Sequence, residues 1–291
     1  MHFELDGDQR DFADALDKLL ASADTPRVAR AWAEGDHEPG LKLWGRLSEM
    51  GVTSLAAEDE GADPVFMTVA FERLGYHAVP GPWVESVAYL GSAGLIGTVA
   101  VPPHVPYALD ADIADDVYLV KDPADDRVTD IGAPRVSVDR TRRLFDVGTS
   151  DNAWSDQFDR AVLAVSAQLL GLGERVLADS VTYVKQRKQF GREIGSYQAI
   201  KHALADVRIA LDFARPLVYG AALGKISPSA AKVTSSDAAY LASRTALQVH
   251  GAIGYTAEFD LSIWLAKIRA LVSAWGTPAV HRARLLEELT S

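Results

Sequence analysis

The sequence predicts a mainly α-helical fold with a small β segment in its middle, and three stretches of the 291-residue chain indicate it. Apolar residues repeat at helical spacing from the N-terminus to about residue 93. Short β-rich runs, separated by Pro, Gly and Asp clusters, follow between about residues 97 and 147. From about residue 155 onwards, long helical stretches joined by short turns are typical of a helix bundle.

The N-terminal region is predicted to be helical because its apolar residues recur every three to four positions. These residues form three groups: Phe12, Leu16, Leu19 and Leu20; then Trp44, Leu47 and Met50; then Val69, Phe71, Leu74 and Tyr76. Gly51 fits a helix stop after the second group. Pro80-Gly81-Pro82 breaks the chain after the third.

The central segment is predicted to form a small sheet. Its three runs rich in β-formers are Thr98–Val101, Val117–Val120 and Arg135–Val138. Acidic runs between them, such as Asp110–Asp112, are interpreted as solvated turns. The segment is short, so we expect only a few strands.

Five helical stretches are predicted in the C-terminal half, at about residues 158–187, 197–224, 230–250, 260–272 and 278–289. The turn Ser227-Pro228-Ser229 precedes the third stretch and can cap it. We therefore expect three domains, which are an N-terminal helical domain (1–96), a small β domain (97–150) and a C-terminal helical bundle (151–291).

Composition excludes several classes of function. The net charge of −11 argues against binding nucleic acid, which needs a basic surface. The absence of cysteine excludes disulfides and thiolate catalysis, and no His or carboxylate spacing predicts a metal site. The acidic N-terminus has no apolar signal region, and runs such as 161–170 are shorter than a membrane span. We therefore expect a soluble cytoplasmic protein with no membrane span.

Residues 186–202, QRKQFGREIGSYQAIKH, carry the main functional signal and lie between the first two long helices of the C-terminal half. The guanidinium fork of Arg187 suits phosphate oxygens. Gln189 and Gln198 add neutral hydrogen-bonding groups, and Phe190 offers a flat face to a ring. This combination suits the phosphates and base of a nucleotide. From the residues alone, a surface ion pair for Arg187 and a core position for Phe190 stay open as alternatives.

These residues resemble a signature of acyl-CoA dehydrogenases, R-x-x-F-G followed by a Q-A-I/V region. Residues 247–255, LQVHGAIGY, resemble the family's second signature, Q-x-x-G-G-x-G-[FY], with Ala252 in place of the second glycine. Residues 43–51, LWGRLSEMG, also resemble the family. The resemblance implies an acyl-CoA dehydrogenase-like fold with an N-terminal helical domain, a β domain and a C-terminal four-helix bundle.

In that family, both signatures reach across a subunit interface to the FAD of a neighbouring subunit. The resemblance therefore implies that Arg187 binds the pyrophosphate of a partner's FAD. It assigns six residues to the nucleotide half of that cofactor, namely Arg187, Gln189, Phe190, Gln198, Gln248 and Gly251.

The family's catalytic glutamate has no counterpart in this sequence. That glutamate removes the α-proton of an acyl-CoA while hydride passes from the β-carbon to the flavin, and it occupies one of two positions. The commoner one, in a Tyr-Glu-Gly-Thr motif, corresponds here to Trp275 in residues 274–277, AWGT, and the alternative falls on Ala161. Asp159 and Glu258 are the candidates for a displaced base, although Asp159 lies about 200° around the helix from Ala161.

The family's flavin-ring motif, an aromatic residue with T-E-x-x-x-G-S-D, also has no counterpart between residues 97 and 147. The pattern resembles the short subunits of actinobacterial heteromeric α2β2 acyl-CoA dehydrogenases, some of which act on steroid-derived CoA thioesters. It implies a heterotetramer in which a larger subunit binds most of the acyl-CoA and shares its FAD. The electron acceptor would be an electron-transfer flavoprotein or a similar protein.

Two alternatives stay open. One is a self-sufficient homomeric acyl-CoA dehydrogenase with a displaced base. The other is a flavin-free structural or regulatory subunit that only binds a partner.

Overall fold

The computed structural model describes residues 4–57, 63–121, 126–150 and 155–290, and it confirms the mainly α-helical fold. The α-helices among these residues are α1 Gly7–Ser22, α2 Thr25–Ala33, α3 Glu38–Glu49, α4 Pro64–Tyr76, α5 Asp156–Gln186, α6 Gln198–Ala222, α7 Pro228–His250, α8 Leu261–Ser273 and α9 Pro278–Thr290. A π-helical segment, Val84–Tyr89, and three 3-10 turns, Val52–Ser54, Ile194–Ser196 and Gly251–Tyr255, complete the helical part.

The strands are short. They are β1 Gly97–Ala100, β2 Ala108–Leu109, β3 Asp116–Leu119, β4 Asp126–Arg127, β5 Leu144–Phe145, β6 Lys188–Gln189 and β7 Arg192–Glu193. β1 pairs in parallel with β3, which pairs antiparallel with β4, and β2 pairs antiparallel with β5. The small sheet predicted for the central segment is therefore present.

One predicted strand, Arg135–Val138, is wrong. Only Arg135 pairs with another strand residue, through a 2.7 Å hydrogen bond from its backbone N–H to the carbonyl of Leu144. The side chains of Val136 and Val138 are 100% and 61% exposed, so the β-branched residues have no core face to cover. Strand propensity depends on such packing, and without it the run stays irregular.

Helices α4 and α5 touch backbone to backbone because glycines lie where they cross. A Cβ atom on Gly171 would lie 1.9 Å from the carbonyl oxygen of Glu72, and one on Gly75 would lie 2.2 Å from that of Gln168. Only glycine fits at such a distance. The two glycines therefore let α4 pack directly against the long helix α5.

A buried carboxylate reinforces this packing. Glu72 on α4 is 1% exposed and accepts hydrogen bonds from Arg215 at 2.8 and 3.0 Å and from the Tyr219 hydroxyl at 2.7 Å, both on α6. Arg215 also donates to Glu174 of α5 at 3.2 Å. Burial, and then the nearby Glu72 charge, raise the pKa of Tyr219, so its hydroxyl stays a donor. The cluster ties α4, α5 and α6 together at one place.

Helix α5 is the centre of the molecule. By length and composition it could cross a membrane, but 83% of its most apolar window is buried inside the protein, as in the core helix of a bundle. One hydrophobic cluster includes residues from α1 to α8, such as Leu16, Phe71, Leu170 and Trp264. The division into three domains at residues 96 and 150 stays a prediction, since the N-terminal and C-terminal helices share this core.

Substituting Gly171→Ala tests the close approach of α4 and α5. The added methyl group would meet the backbone of Glu72, so we expect the free energy of unfolding to fall by about 2 kcal/mol, as for other overpacked cores. The matched control is Gly45→Ala on α3, where nothing lies within 4 Å of the added Cβ. There the helix propensity of alanine should raise stability by up to about 1 kcal/mol. Urea denaturation measures both, and equal effects would contradict the packing described.

Candidate functional site

The loop after α5 is a tight hairpin with a strained tip. Lys188 pairs with Glu193 across β6 and β7, which leaves Phe190 and Gly191 as the two turn residues. Their φ angles are +53° and +82°. Two-residue hairpin turns with both φ values positive match the twist of the flanking strands, and glycine adopts them freely while phenylalanine does so at a cost in strain. The turn therefore projects the Phe190 side chain from the surface.

The predicted ligand-binding side chains of this loop face solvent. Phe190 is 88% exposed, so a core position for it is excluded. The Arg187 guanidinium is exposed and makes no hydrogen bond or ion pair with any residue that the structure describes, so the surface ion-pair alternative is not seen either. Gln189 and Gln198 are exposed as well. These polar groups are free to bind another molecule.

The second signature lies at the same end of the bundle. Helix α7 ends at His250, whose ring stacks on Tyr183 of α5 with centroids 4.2 Å apart. The Nδ1–H of His250 donates to the carbonyl of Ala246 at 2.9 Å, and burial lowers the pKa of the ring. Gly251 turns the chain with a φ of +62°, and Gln248 is exposed. The stack therefore brings the two sequence signatures together.

We call residues 187–191, Gln198, Gln248 and Gly251 the bundle-end surface. It offers a guanidinium, three carboxamides and an aromatic ring, and these groups fit a pyrophosphate and the nucleotide attached to it. The described strands of the central segment are only two to four residues long. Among the described residues no cluster of three or more His, Asp or Glu side chains could hold a metal ion.

Trp275 lies at the opposite end of α5 and is 1% exposed. Its ring contacts those of Tyr89 and Phe158, both at 5.3 Å between centroids, and its Nε1–H donates to Glu85 at 3.3 Å. Phe158 belongs to the first turn of α5. The backbone of Trp275 has a φ of +56°, which is uncommon for a residue with a side chain.

A buried histidine holds this strained backbone. The Nε2–H of His281 donates to the Trp275 carbonyl at 2.8 Å, and the Ser229 hydroxyl donates to Nδ1 at 2.9 Å. Burial lowers the pKa of His281 to about 4, so the ring is neutral near pH 7. Hydrogen bonds through Ser229 of α7 and His281 of α9 therefore stabilise the backbone conformation of Trp275.

The remaining candidates for a base are occupied or distant. Ala161 is fully buried in α5. Asp159 accepts two hydrogen bonds from Arg284, one of them at 2.7 Å, which makes it an ion-pair partner. Glu258 is exposed, and its backbone carbonyl accepts a 3.0 Å hydrogen bond from Arg30. Neither carboxylate lines the cleft beside Trp275.

That cleft, which we call the Trp275 cleft, has a volume of about 390 Å³ and contains a carboxylate that sequence reasoning missed. Glu85, on the π-helical segment, lines it and is 1% exposed. Burial raises the pKa of Glu85, and Arg142 at 4.0 Å opposes the shift. The sequence held one signal of this site, because Glu85 is the single charged residue in the apolar run 83–90.

The two ends of α5 are far apart. At a rise of 1.5 Å per residue, the 26 steps from Ala161 to Arg187 span roughly 40 Å. That distance exceeds the length of an extended FAD molecule. A cofactor held at the bundle-end surface therefore cannot reach the Trp275 cleft of the same chain.

The chain is similar to known proteins over nearly its whole length. The family model described as "Acyl-CoA dehydrogenase, C-terminal domain" matches residues 152–290. Acyl-CoA dehydrogenase IpdE2 of Mycolicibacterium smegmatis is 30% identical in an alignment 299 positions long, gaps included, that covers 93% of this chain and 95% of IpdE2.

Two solved structures show the same fold. A chain of the ChsE4-ChsE5 complex from Mycobacterium tuberculosis superposes with a TM-score of 0.79 at 19% identity, covering 100% of this chain and 99% of that one. A variant of the Tcur3481-Tcur3483 steroid ACAD gives a TM-score of 0.81 at 18% identity, covering 98% and 99%. Because the match to IpdE2 spans nearly the whole of both proteins, the chain belongs to the acyl-CoA dehydrogenase family.

Proposed function

We propose that this chain is the short subunit of a heteromeric FAD-dependent acyl-CoA dehydrogenase. Its bundle-end surface binds the nucleotide half of an FAD whose ring lies on a larger partner subunit. It supplies no catalytic base. The observation that carries this proposal is the separation along α5. Free nucleotide-binding groups lie at one end, and Trp275 and Ala161 occupy the base positions at the other.

The span of roughly 40 Å supports sharing of the cofactor across an interface. An FAD bound by Arg187 has to place its ring outside this chain's own cleft, which a neighbouring subunit can accommodate. The exposed Phe190 and the free Arg187 guanidinium support the same reading, because both would be covered in a complex.

The chemistry divides between the two subunits. When bound, the FAD supplies the acceptor for the hydride that leaves the β-carbon of the acyl group. Arg187 of this chain neutralises pyrophosphate charge through its donor fork, and Phe190 covers a ring face. The α-proton is removed by a carboxylate of the partner subunit, since Trp275 has no group that accepts a proton.

The finer assignments rest on the relatives. We take the substrate to be a CoA thioester with a steroid-derived acyl group, bound mainly by the larger subunit, because one structural relative carries the name steroid ACAD. A subunit pairing like that of the ChsE4-ChsE5 complex suits a chain with half a flavin site. We take the electron acceptor to be an electron-transfer flavoprotein or a similar protein.

Purification of the chain alone, and together with a full-length acyl-CoA dehydrogenase encoded next to it, tests the proposal. We expect the lone chain to bind no stoichiometric FAD and to reduce no electron acceptor. The co-purified complex should contain one FAD for each pair of unlike subunits and be active. Stoichiometric flavin and turnover in the lone chain would contradict the proposal, as would an active complex without flavin.

Substituting Arg187→Ala should weaken FAD retention by the complex. Loss of a charge-assisted contact is worth about 1.5–3 kcal/mol, which corresponds to roughly tenfold to a hundredfold weaker binding. The control is Arg46→Ala on α3, another exposed arginine, which should leave retention unchanged. Flavin absorbance after gel filtration measures both variants, and equal retention would count against a role for Arg187.

Substituting Asp159→Asn and Glu258→Gln tests whether this chain holds a displaced base. Asp159 is paired with Arg284 and Glu258 lies away from the cleft, so neither change should alter turnover of the complex by more than about twofold. Turnover is measured per mole of folded complex, because Asp159→Asn also weakens an ion pair. A loss of a hundredfold or more, as expected for removal of a general base, would favour the homomeric alternative.

A further inference from the structure

The Trp275 cleft contains a buried carboxyl group, that of Glu85, with one oxygen atom that no described residue satisfies, and a guanidinium group, that of Arg142, beside it. The Oε2 atom of Glu85 is buried and has no hydrogen-bond partner among the described residues. The one side-chain contact that the described residues give Arg142 is the 4.0 Å approach to Glu85, which is too long for a hydrogen bond. Buried polar groups in folded proteins are nearly always paired, so an unpaired carboxyl oxygen in a cleft wall indicates a missing partner.

The charges in the wall favour an anion. Of the described residues that line the cleft, Glu85 is the sole acidic one and Arg142 is the sole one with a permanent positive charge. Burial lowers the pKa of His104, so this wall residue is neutral near pH 7. Burial raises the pKa of Glu85, which favours its protonated, neutral form. With that proton in place, the cleft carries one net positive charge.

The rest of the wall is apolar and compact. Its hydrophobic residues include Val105, Pro106, Val136, Val138, Leu144 and Trp275. The volume of about 390 Å³ lies within the range of roughly 300–1,000 Å³ found for small-molecule sites. Val136 and Val138 belong to the predicted strand that does not form. A ligand in the cleft would explain their exposure, because both line one side of it.

We propose that the Trp275 cleft binds a small carboxylate with a compact apolar body. The ligand carboxylate accepts a forked pair of hydrogen bonds from Arg142 and one hydrogen bond from the protonated carboxyl of Glu85. The apolar body packs against Trp275 and the two valines. The site needs no flavin and lies at the opposite end of α5 from the bundle-end surface, so it is separate from the role in FAD binding.

The affinity of the cleft for a carboxylate should depend on pH in one direction. Binding requires a proton on Glu85, so affinity falls as pH rises through the Glu85 pKa, where two carboxylates would face each other. The positive charges of Arg142 and Lys267 lower the pKa of Glu85, against the effect of burial, and His104 and Tyr107 are further titratable residues in the described wall of the cleft. Protonated His104 would also favour an anion, so the test must separate it from Glu85.

Titration calorimetry on the full chain, with cyclohexanecarboxylate as the probe, tests the site over the whole pH range in which the chain stays folded. Cyclohexanecarboxamide is the uncharged control ligand. The second ligand is the mono-CoA thioester of cyclohexane-1,4-dicarboxylic acid, which has a free cyclohexanecarboxylate group at the end of its acyl group. Tighter binding of the thioester assigns the site to acyl-CoA, whereas equal or tighter binding of the free acid assigns it to free carboxylic acids.

Three variants decide the outcome. Arg142→Gln should weaken binding of the carboxylate by about tenfold or more. Glu85→Gln keeps a neutral donor in place and should keep the affinity within about threefold of its low-pH value while abolishing the pH dependence. Arg127→Gln, an exposed arginine paired with Asp116 outside the cleft, should change nothing. Melting curves check that each variant is folded, and Glu85→Gln decides the matter if Arg142→Gln does not fold.

Three results would overturn the proposal. The first is no binding of either carboxylate at millimolar concentration. The second is equal binding of the carboxamide. The third is a pH dependence that persists in Glu85→Gln, which would belong to His104.

Discussion

The arrangement of this protein depends on the close contact between α4 and α5. Gly75 and Gly171 let the two backbones approach so closely that a single added methyl group would meet a carbonyl oxygen. The buried Glu72 then ties the same crossing to Arg215 and Tyr219 of α6. With α5 held in the centre, its two ends are fixed at opposite sides of the molecule, and each end carries a different kind of site.

The two ends of α5 carry different kinds of side chains. At the C-terminal end of α5, the hairpin tip lies beside the Tyr183–His250 stack, and its exposed Arg187 side chain makes no hydrogen bond or ion pair with the described residues. At the N-terminal end, the sequence motif predicts that Trp275 stands at the position of the family's base, and this buried tryptophan has a left-handed conformation that His281 holds. An indole at this position cannot accept a proton, and the cleft beside it has Glu85 in its wall.

Much of this could be predicted from the sequence, and the exceptions have physical causes. Long amphipathic stretches such as 158–187 predict α5 well, because periodic apolar residues over many turns have few alternatives. The run Arg135–Val138 has the composition of a strand but finds no neighbour to pair with along its length, which local composition cannot reveal. A role for Arg187 is predicted by its motif. Glu85 could not be predicted, because its partners Arg142 and Trp275 are distant from it in sequence.

We propose that one FAD bridges this chain and a larger partner subunit, and a structure of the co-purified complex with bound FAD would test this. We expect the Arg187 guanidinium to lie within about 3 Å of the pyrophosphate oxygens of an FAD whose isoalloxazine ring contacts the partner subunit. An FAD whose ring lies in this chain's own Trp275 cleft, or an Arg187 side chain that points to solvent in the complex, would contradict it.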